Sequence, residues 1–409
     1  MPQPSTQREL ALEVVRQLRE AGYQALWAGG CVRDELLGCE PKDYDVATSA
    51  RPEQVRELFG KRRTLAIGAA FGVIAVLGRP KQDPIEVATF RSDGAYIDGR
   101  RPAEVIYTTA EEDAARRDFT INGLFYDPVE ERVIDYVDGQ ADLQRKIIRA
   151  IGDPRARFSE DKLRVLRAVR FATTLGFEIE EQTLSAIGEM AEEVKIVSAE
   201  RIGAELRKLL SHTRRGLGVQ LLLESGLLTP LLPELADMPE QRPDEWQQLL
   251  ARLEHLRVDS LPAALASLLF GLEPAQLIGE IGRRFRFTNK EVDRTVWLVR
   301  VLPQIEKADK ILWPQLQRLL VHEGAGELVA VATAIWGDDH RGVQECRLRL
   351  ALPAEELDPE PLVTGKDLIA HGIQPGPNFG QIMEQIRNAQ LLGDIGTREQ
   401  ALELADQWR

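Results

Sequence analysis

At 409 residues the chain exceeds one ordinary domain, and roughly two to four modules are expected. Its 44% hydrophobic and 29% charged residues are the balance of a water-exposed globular protein. The formal net charge of −13 excludes a uniformly basic nucleic-acid binder, although partners respond to local fields and not to the average.

The polar N-terminus, MPQPSTQREL, lacks the charged-then-apolar order of a signal peptide. No apolar stretch reaches the roughly 18 to 20 residues of a membrane span. Cys31, Cys39 and Cys346 form no metal-ligand or disulfide pattern. A cytoplasmic protein with no membrane partner is expected.

Residues 8–22 show helical spacing in Leu10, Leu12, Val15 and Leu18, with Gly22 as the stop. The apolar run Ala25–Ala28 follows and meets Gly29–Gly30. Strand-like runs recur at Gly72–Leu77, Ile85–Phe90, Val105–Tyr107 and Val133–Tyr136, separated by Gly, Pro and Asp turns. After Phe158 the periodicity becomes helical almost without relief, through Asp161–Gly176, Ile179–Val194 and Ala199–Leu210. Breaks are expected at Pro230, Pro233, Pro243, Pro262 and Pro303. The fold class is α+β, a small α/β head followed by an elongated all-α neck, body and tail. The expected boundaries are 1–150, 151–215 and 216–409.

The densest chemistry lies in residues 29–48, GGCVRDELLGCEPKDYDVAT. Alternate strand residues share a face, so Asp43 and Asp45 come together. Like charges side by side are costly unless a cation lies between them, and hard oxygen ligands suit Mg²⁺ on a triphosphate. Upstream, Gly30 opens a helix whose N–H groups can hold phosphate oxygens, and Arg33 adds a forked donor. A lone D-x-D is common, as is a glycine pair before a helix; the order strand, GG, helix, turn, D-x-D is far more restrictive. Glu86, in IEVATFR, reads either as a third metal-site carboxylate or as an ordinary strand glutamate.

The stretch GGCVRDELLG…KDYDVAT resembles the first motif of the class II tRNA nucleotidyltransferase and poly(A) polymerase family, within the polymerase-β-like superfamily. The resemblance implies a metal-dependent nucleotidyltransferase head. DAARRDFTIN (113–122) is similar to that family's RRDFTxN signature, which implies sugar, triphosphate and bracing roles for Arg117, Asp118 and Asn122. EDKLRVLRAVRF (160–171) resembles its EDxxR base-selecting motif. Asp161, Arg164, Arg167 and Arg170 recur every third residue, as if climbing one helix face.

The selection can be derived from hydrogen bonding. Cytosine and adenine both present an amino donor beside a ring-nitrogen acceptor; uracil and guanine present the reverse. Asp161 accepting and Arg164 donating would pass C and A, because a mismatched edge leaves buried polar groups unpaired at about 1–3 kcal/mol. Arg167 and Arg170 are then available to brace the triphosphate. The blander alternative is a solvated basic stripe. Residues 142–170 do carry nine basic side chains against four acids, compatible with RNA.

Subfamily signals are sparser. ERIGAELRKLL (200–210) looks like the family's last neck motif, and VTGKDLIAHGIQPGPNFGQIMEQI like the tail of tRNA-specific members. Ala69–Ala70 replace the basic pair of bacterial poly(A) polymerases. No His-Asp dipeptide marks an added phosphohydrolase. The 90–105 stretch resembles the loop that lets such enzymes change from CTP to ATP. The resemblance therefore implies C and A addition to tRNA 3′ ends, with the acceptor and TΨC arms as the RNA contacts. A-adding, CC-adding and poly(A) enzymes are the runners-up. An inactive RNA-binding paralogue would not need D-x-D together with EDxxR. Oligomeric state is left open.

Overall fold

The computed structural model describes residues 6–68, 72–80, 82–93, 105–272 and 274–407. Ala69–Ala70, and most of the 90–105 loop, lie outside the described residues. The chain divides into two units, Met1–Leu209 with Leu217–Arg242, and Leu210–Gly216 with Pro243–Arg409.

In the first unit, α1 (Gln7–Glu20) opens on a reciprocal cap. Thr6 Oγ1 accepts from the Glu9 N–H while the Glu9 carboxylate accepts from that of Thr6, an arrangement that contributes about 1 kcal/mol. Its face of Leu10, Ala11, Val14, Val15 and Leu18 is buried. Then follow β1 (Ala25–Ala28), α2 (Gly30–Leu36), β2 (Asp45–Thr48), α3 (Pro52–Phe59), β3 (Thr64–Gly68), β4 (Val73–Val76) and β5 (Ile85–Thr89). A ribbon, β6 (Arg91–Asp93) and β7 (Val105–Tyr107), leads to α4 (Ala110–Ala115), β8 (Phe125–Asp127) and β9 (Arg132–Ile134).

Seven of these strands form one mixed sheet in the order β3-β4-β5-β2-β1-β8-β9. Only β2 and β5 run parallel, in a register that sets Asp45 beside Glu86 and Ala47 beside Ala88. Ala47 joins Leu26, Ala28, Phe90, Ala110, Ala114 and Phe125 in a buried cluster. Asp45 shares that face two residues earlier, at the strand's exposed start.

The helical part begins with α5 (Gly139–Arg145), β10 (Ile147–Ile148), α6 (Pro154–Glu160), α7 (Leu163–Leu175), β11 (Glu178–Ile179), α8 (Glu181–Met190) and α9 (Ala199–Leu210). The sequence pattern needs three corrections here. Residues 161–176 are not one helix: Asp161 is extended (φ −143°, ψ 105°) and terminates α6, so it does not climb the face of α7. Ile179 does not start a helix; with Glu178 it pairs in parallel with Ile147–Ile148. Pro303 does not end the helix before it; it lies in the final turn of a helix spanning Asn289–Ile305, which runs on for two residues beyond it.

Among its described residues beyond Pro243 the second unit contains helices joined by loops, and no strand. The tail stretch read as tRNA-specific forms helices Gly365–Ala370 and Phe379–Leu392, around a core of Val363, Leu368, Ile373, Ile382, Ile386, Ala401 and Ala405. Among the described residues no single helix is long and apolar enough to cross a membrane.

Candidate active site

Gly29 ends β1 with φ 74° and ψ −122°, a conformation closed to residues with a Cβ. A Cβ there would lie 2.9 Å from Nη1 of Arg117. Gly30, by contrast, begins α2 with its nearest neighbour, Arg33 Nη2, at 3.8 Å. The requirement for glycine thus falls on Gly29, where strand, helix and arginine converge. Gly29→Ala is expected to lose about 1–3 kcal/mol and to displace Arg117. A melting curve together with nucleotide KM reads both effects, with Gly30→Ala as the milder control.

Below this turn lies a cleft of about 540 Å³ lined by Gly29, Gly30, Asp45, Asn122, Phe171 and a set of charged side chains. The charged set is Arg33, Arg116, Arg117, Arg164, Arg167 and Arg170 against Asp45, Asp118 and Asp161. Six guanidiniums against three carboxylates make a cationic pocket in an anionic protein, suited to a polyanionic ligand. A larger cavity of about 930 Å³ lies in the second unit, but its one carboxylate, Asp338, is paired with Arg347. It offers no carboxylate pair for a metal.

Asp45 is the metal-site candidate that lines the cleft. Its crowded surroundings, with the negative charges of Asp43 and Glu86, push its carboxyl up to about 6, against a smaller opposing pull from Arg117. That surplus of negative charge is what a cation would neutralise. Asp43 and Glu86 approach Asp45 without lining the cleft. Among the described residues no three His, Cys, Asp or Glu side chains close into a metal cage. The donor set fits a hard cation shared with a substrate's oxygens better than one enclosed by protein.

The arginines are held by acids, several of which the sequence motifs leave without a role. Asp113, buried in α4, accepts from Arg116 (2.7 Å) and Arg117 (3.0 Å). Its position one turn before both was a readable signal. Arg117 also donates to the Asn122 carbonyl, and Arg33 to Asn122 Oδ1 at 2.7 Å. Asp118 takes Arg167 Nε and Nη2 on one oxygen, and the Asn122 amide and its neighbour's N–H on the other. Arg170 is bound to buried Glu205 of α9 at 2.5 Å. Three guanidiniums surround one phenyl ring, Phe171: Arg170 at 3.5 Å, Arg33 at 5.2 Å and Arg167 at 5.3 Å. Arg164 donates to Glu160 (2.6 Å) and to the carbonyls of Arg157 and Arg116. Asp161 accepts from the Leu163 N–H (3.1 Å) and from Arg201 (2.6 Å).

The blander alternative, a solvated basic stripe, is not what the structure holds. Of the nine basic residues in 142–170, seven (Arg149, Arg155, Arg157, Lys162, Arg164, Arg167 and Arg170) are in ion pairs within the protein. Nor are Arg167 and Arg170 idle donors; they are anchored to Asp118 and Glu205.

Burial alone would raise Asp118, but the Arg167 charge and the Asn122 hydrogen bond outweigh it and hold the carboxyl at about 2. A depressed native value gives stability that is present above the unfolded value of 3.8 and is lost as pH falls toward 2. Asp118→Asn is accordingly expected to lose about 2 kcal/mol at pH 7. Urea unfolding of the two proteins should show that gap closing below about pH 4.

Fold and cleft together define a nucleotidyltransferase of the poly(A) polymerase type. The family described as "Poly A polymerase head domain" matches residues 25–149, and that described as "Probable RNA and SrmB- binding site of polymerase A" matches 176–238. Over 398 residues the chain is 34% identical to the CCA-adding enzyme of Levilactobacillus brevis, covering 96% of each. It is likewise 34% identical over 402 residues to that of Streptococcus mutans, covering 96% of this chain and 95% of the relative. A crystal structure of the Bacillus stearothermophilus CCA-adding enzyme in complex with CTP superposes with a TM-score of 0.78. That pair shares 29% identity, over 99% of this chain and 98% of the other. The chain belongs to the CCA-adding enzyme family.

Proposed function

We propose that this protein adds C and A to the 3′ end of tRNA, without a nucleic-acid template, from CTP and ATP and with release of pyrophosphate. The observation that carries this reading is the cleft, in which Asp45, a cluster of arginines and the Asp161–Arg164 pair line one pocket. Asp43 and Asp45 would hold a divalent cation, Mg²⁺ in this reading. When bound it supplies charge neutralisation at the triphosphate and acidifies the primer hydroxyl.

The protein's own groups do the remainder. Helix α2 points its N-terminus, beginning at Gly30, into the cleft beside Arg33 and Arg117, a combination that favours phosphate oxygens. Asp118 and Asn122 hold the arginines in place, and in this reading the sugar binds against the same network. Asp161 accepts from the amino group of cytosine or adenine, and Arg164 donates to the adjacent ring nitrogen. Arg167 and Arg170, anchored to acids, set the pocket wall together with Phe171. Glu86 adds negative charge beside Asp45 and serves as its neighbour in the metal site. Residues 216–409, the helical body and tail, are assigned to the acceptor and TΨC arms of the tRNA, in the cytoplasm.

The test is to offer the purified protein tRNAs ending at the discriminator base, at C and at CC, with CTP, ATP or both, and to size the products. Completion of each to CCA and no further is expected. Arrest at CC, addition of a lone A, or a long A tail would overturn the proposal.

A further inference from the structure

The neck stretch ERIGAELRKLL forms α9, from which the chemistry assigned above uses only Glu205, the anchor of Arg170. Two of its side chains bind residues that line the cleft. Arg201 and Glu205 are one helical turn apart and so share a face. Glu205 binds Arg170 at 2.5 Å. Arg201 Nη2 donates to Asp161 Oδ2 at 2.6 Å, in a pair that is mostly shielded (side chains 26% and 19% exposed).

Asp161 needs such support. It sits in the two-residue break between α6 and α7 with its backbone extended, joined to α7 through its carbonyl, which accepts from the Arg164 N–H at 3.0 Å. A carboxylate is a symmetric acceptor, and it reads a base edge only if its rotation is stopped. The Leu163 N–H holds one oxygen at 3.1 Å and Arg201 holds the other. Each oxygen keeps a second lone-pair direction for a base's amino group. Arg164, the other half of the pair, is fixed separately by Glu160 and by the carbonyls of Arg157 and Arg116. The donor and the acceptor therefore have independent anchors, and the acceptor's charged anchor comes from α9.

We infer that Arg201 is a positioning residue for base choice, aiming the Asp161 carboxylate so that an amino group is accepted and a carbonyl rejected. The inference rests on the reading of Asp161 as the base acceptor. Loss of Arg201 should let the carboxylate turn away, weakening CTP and ATP binding and narrowing the margin over UTP and GTP.

The experiment compares Arg201→Gln, Arg201→Lys and Asp161→Asn with the parent enzyme, measuring kcat and KM for all four nucleotides on tRNA ending at C and at CC. Arg201→Gln is expected to narrow the ratio of kcat/KM for correct over incorrect nucleotide by about tenfold, mostly through KM. Arg201→Lys, which keeps the charge and loses the fork, should recover about a third of that loss and remain clearly below the parent. Unchanged selectivity in Arg201→Gln overturns the inference. Should that variant fail to fold, Arg201→Lys decides, and parent-like selectivity in it overturns the inference equally. If Asp161→Asn itself leaves selectivity unchanged, the base-acceptor reading falls. If Asp161→Asn relaxes selectivity while the Arg201 variants do not, only the positioning role falls.

Discussion

Asp45→Asn is expected to lower kcat for nucleotide addition by about a thousandfold or more, with far less change in KM, in a protein at least as stable as its parent. The two halves of that expectation come from different observations. The loss of activity follows from removing a carboxylate that would share a cation with the triphosphate, since an amide oxygen carries no charge. The preserved stability follows from the electrostatics around the side chain. Its surroundings, Asp43 and the in-register Glu86 push the Asp45 carboxyl up to about 6, so carrying its charge costs more in the folded protein than in the unfolded chain. A neutral isostere relieves that repulsion. Asp43→Asn should match it in kcat. A catalytic residue that merely supported the fold would lose activity and melting temperature together. Substantial turnover by Asp45→Asn would remove the pair from the metal site.

The second large effect concerns which nucleotide is added. Asp161→Asn with Arg164→Gln is expected to shift preference from CTP and ATP toward UTP and GTP by about a hundredfold, read as competing incorporation on tRNA ending at CC. Each amide can both donate and accept, so the pair can match the carbonyl and ring N–H that uracil and guanine present. Exchanging the two charged residues for one another is the poorer design. It would put an arginine against Arg201 and an aspartate against Glu160. With glutamine at 164, Glu160 keeps Arg157 at 2.8 Å and is not left unpaired. Parent-like preference in a folded double variant would sink the base-edge account.

Much of this was legible before any coordinates. The glycine turn, the D-x-D pair and the arginine-rich motif are local patterns, because each depends on residues within a turn or a strand of one another. So are the helix from Gln7, the strands at Val73, Ile85 and Val105, and the helix Ala199–Leu210. What local pattern misjudged was continuity. Three-residue spacing suggested one helix through Asp161, whereas Asp161 is extended and its carboxylate binds the first N–H of α7. A short polar side chain competes well for such an orphan donor, and periodicity does not report that competition.

Tertiary structure decided the partners. Nothing in the sequence pairs Asp161 with Arg201 across 40 positions, Arg170 with Glu205 across 35 or Arg167 with Asp118 across 49. Nor does it choose Gly29 over Gly30 as the glycine that Arg117 requires. By itself the sequence determined the chemistry of nucleotidyl transfer, because that needs particular residue types at short spacing. The folded chain decided which charges neutralise one another, since ion pairing depends on distance in space. Only that distance turned an apparent basic stripe into a set of anchored arginines around one cleft.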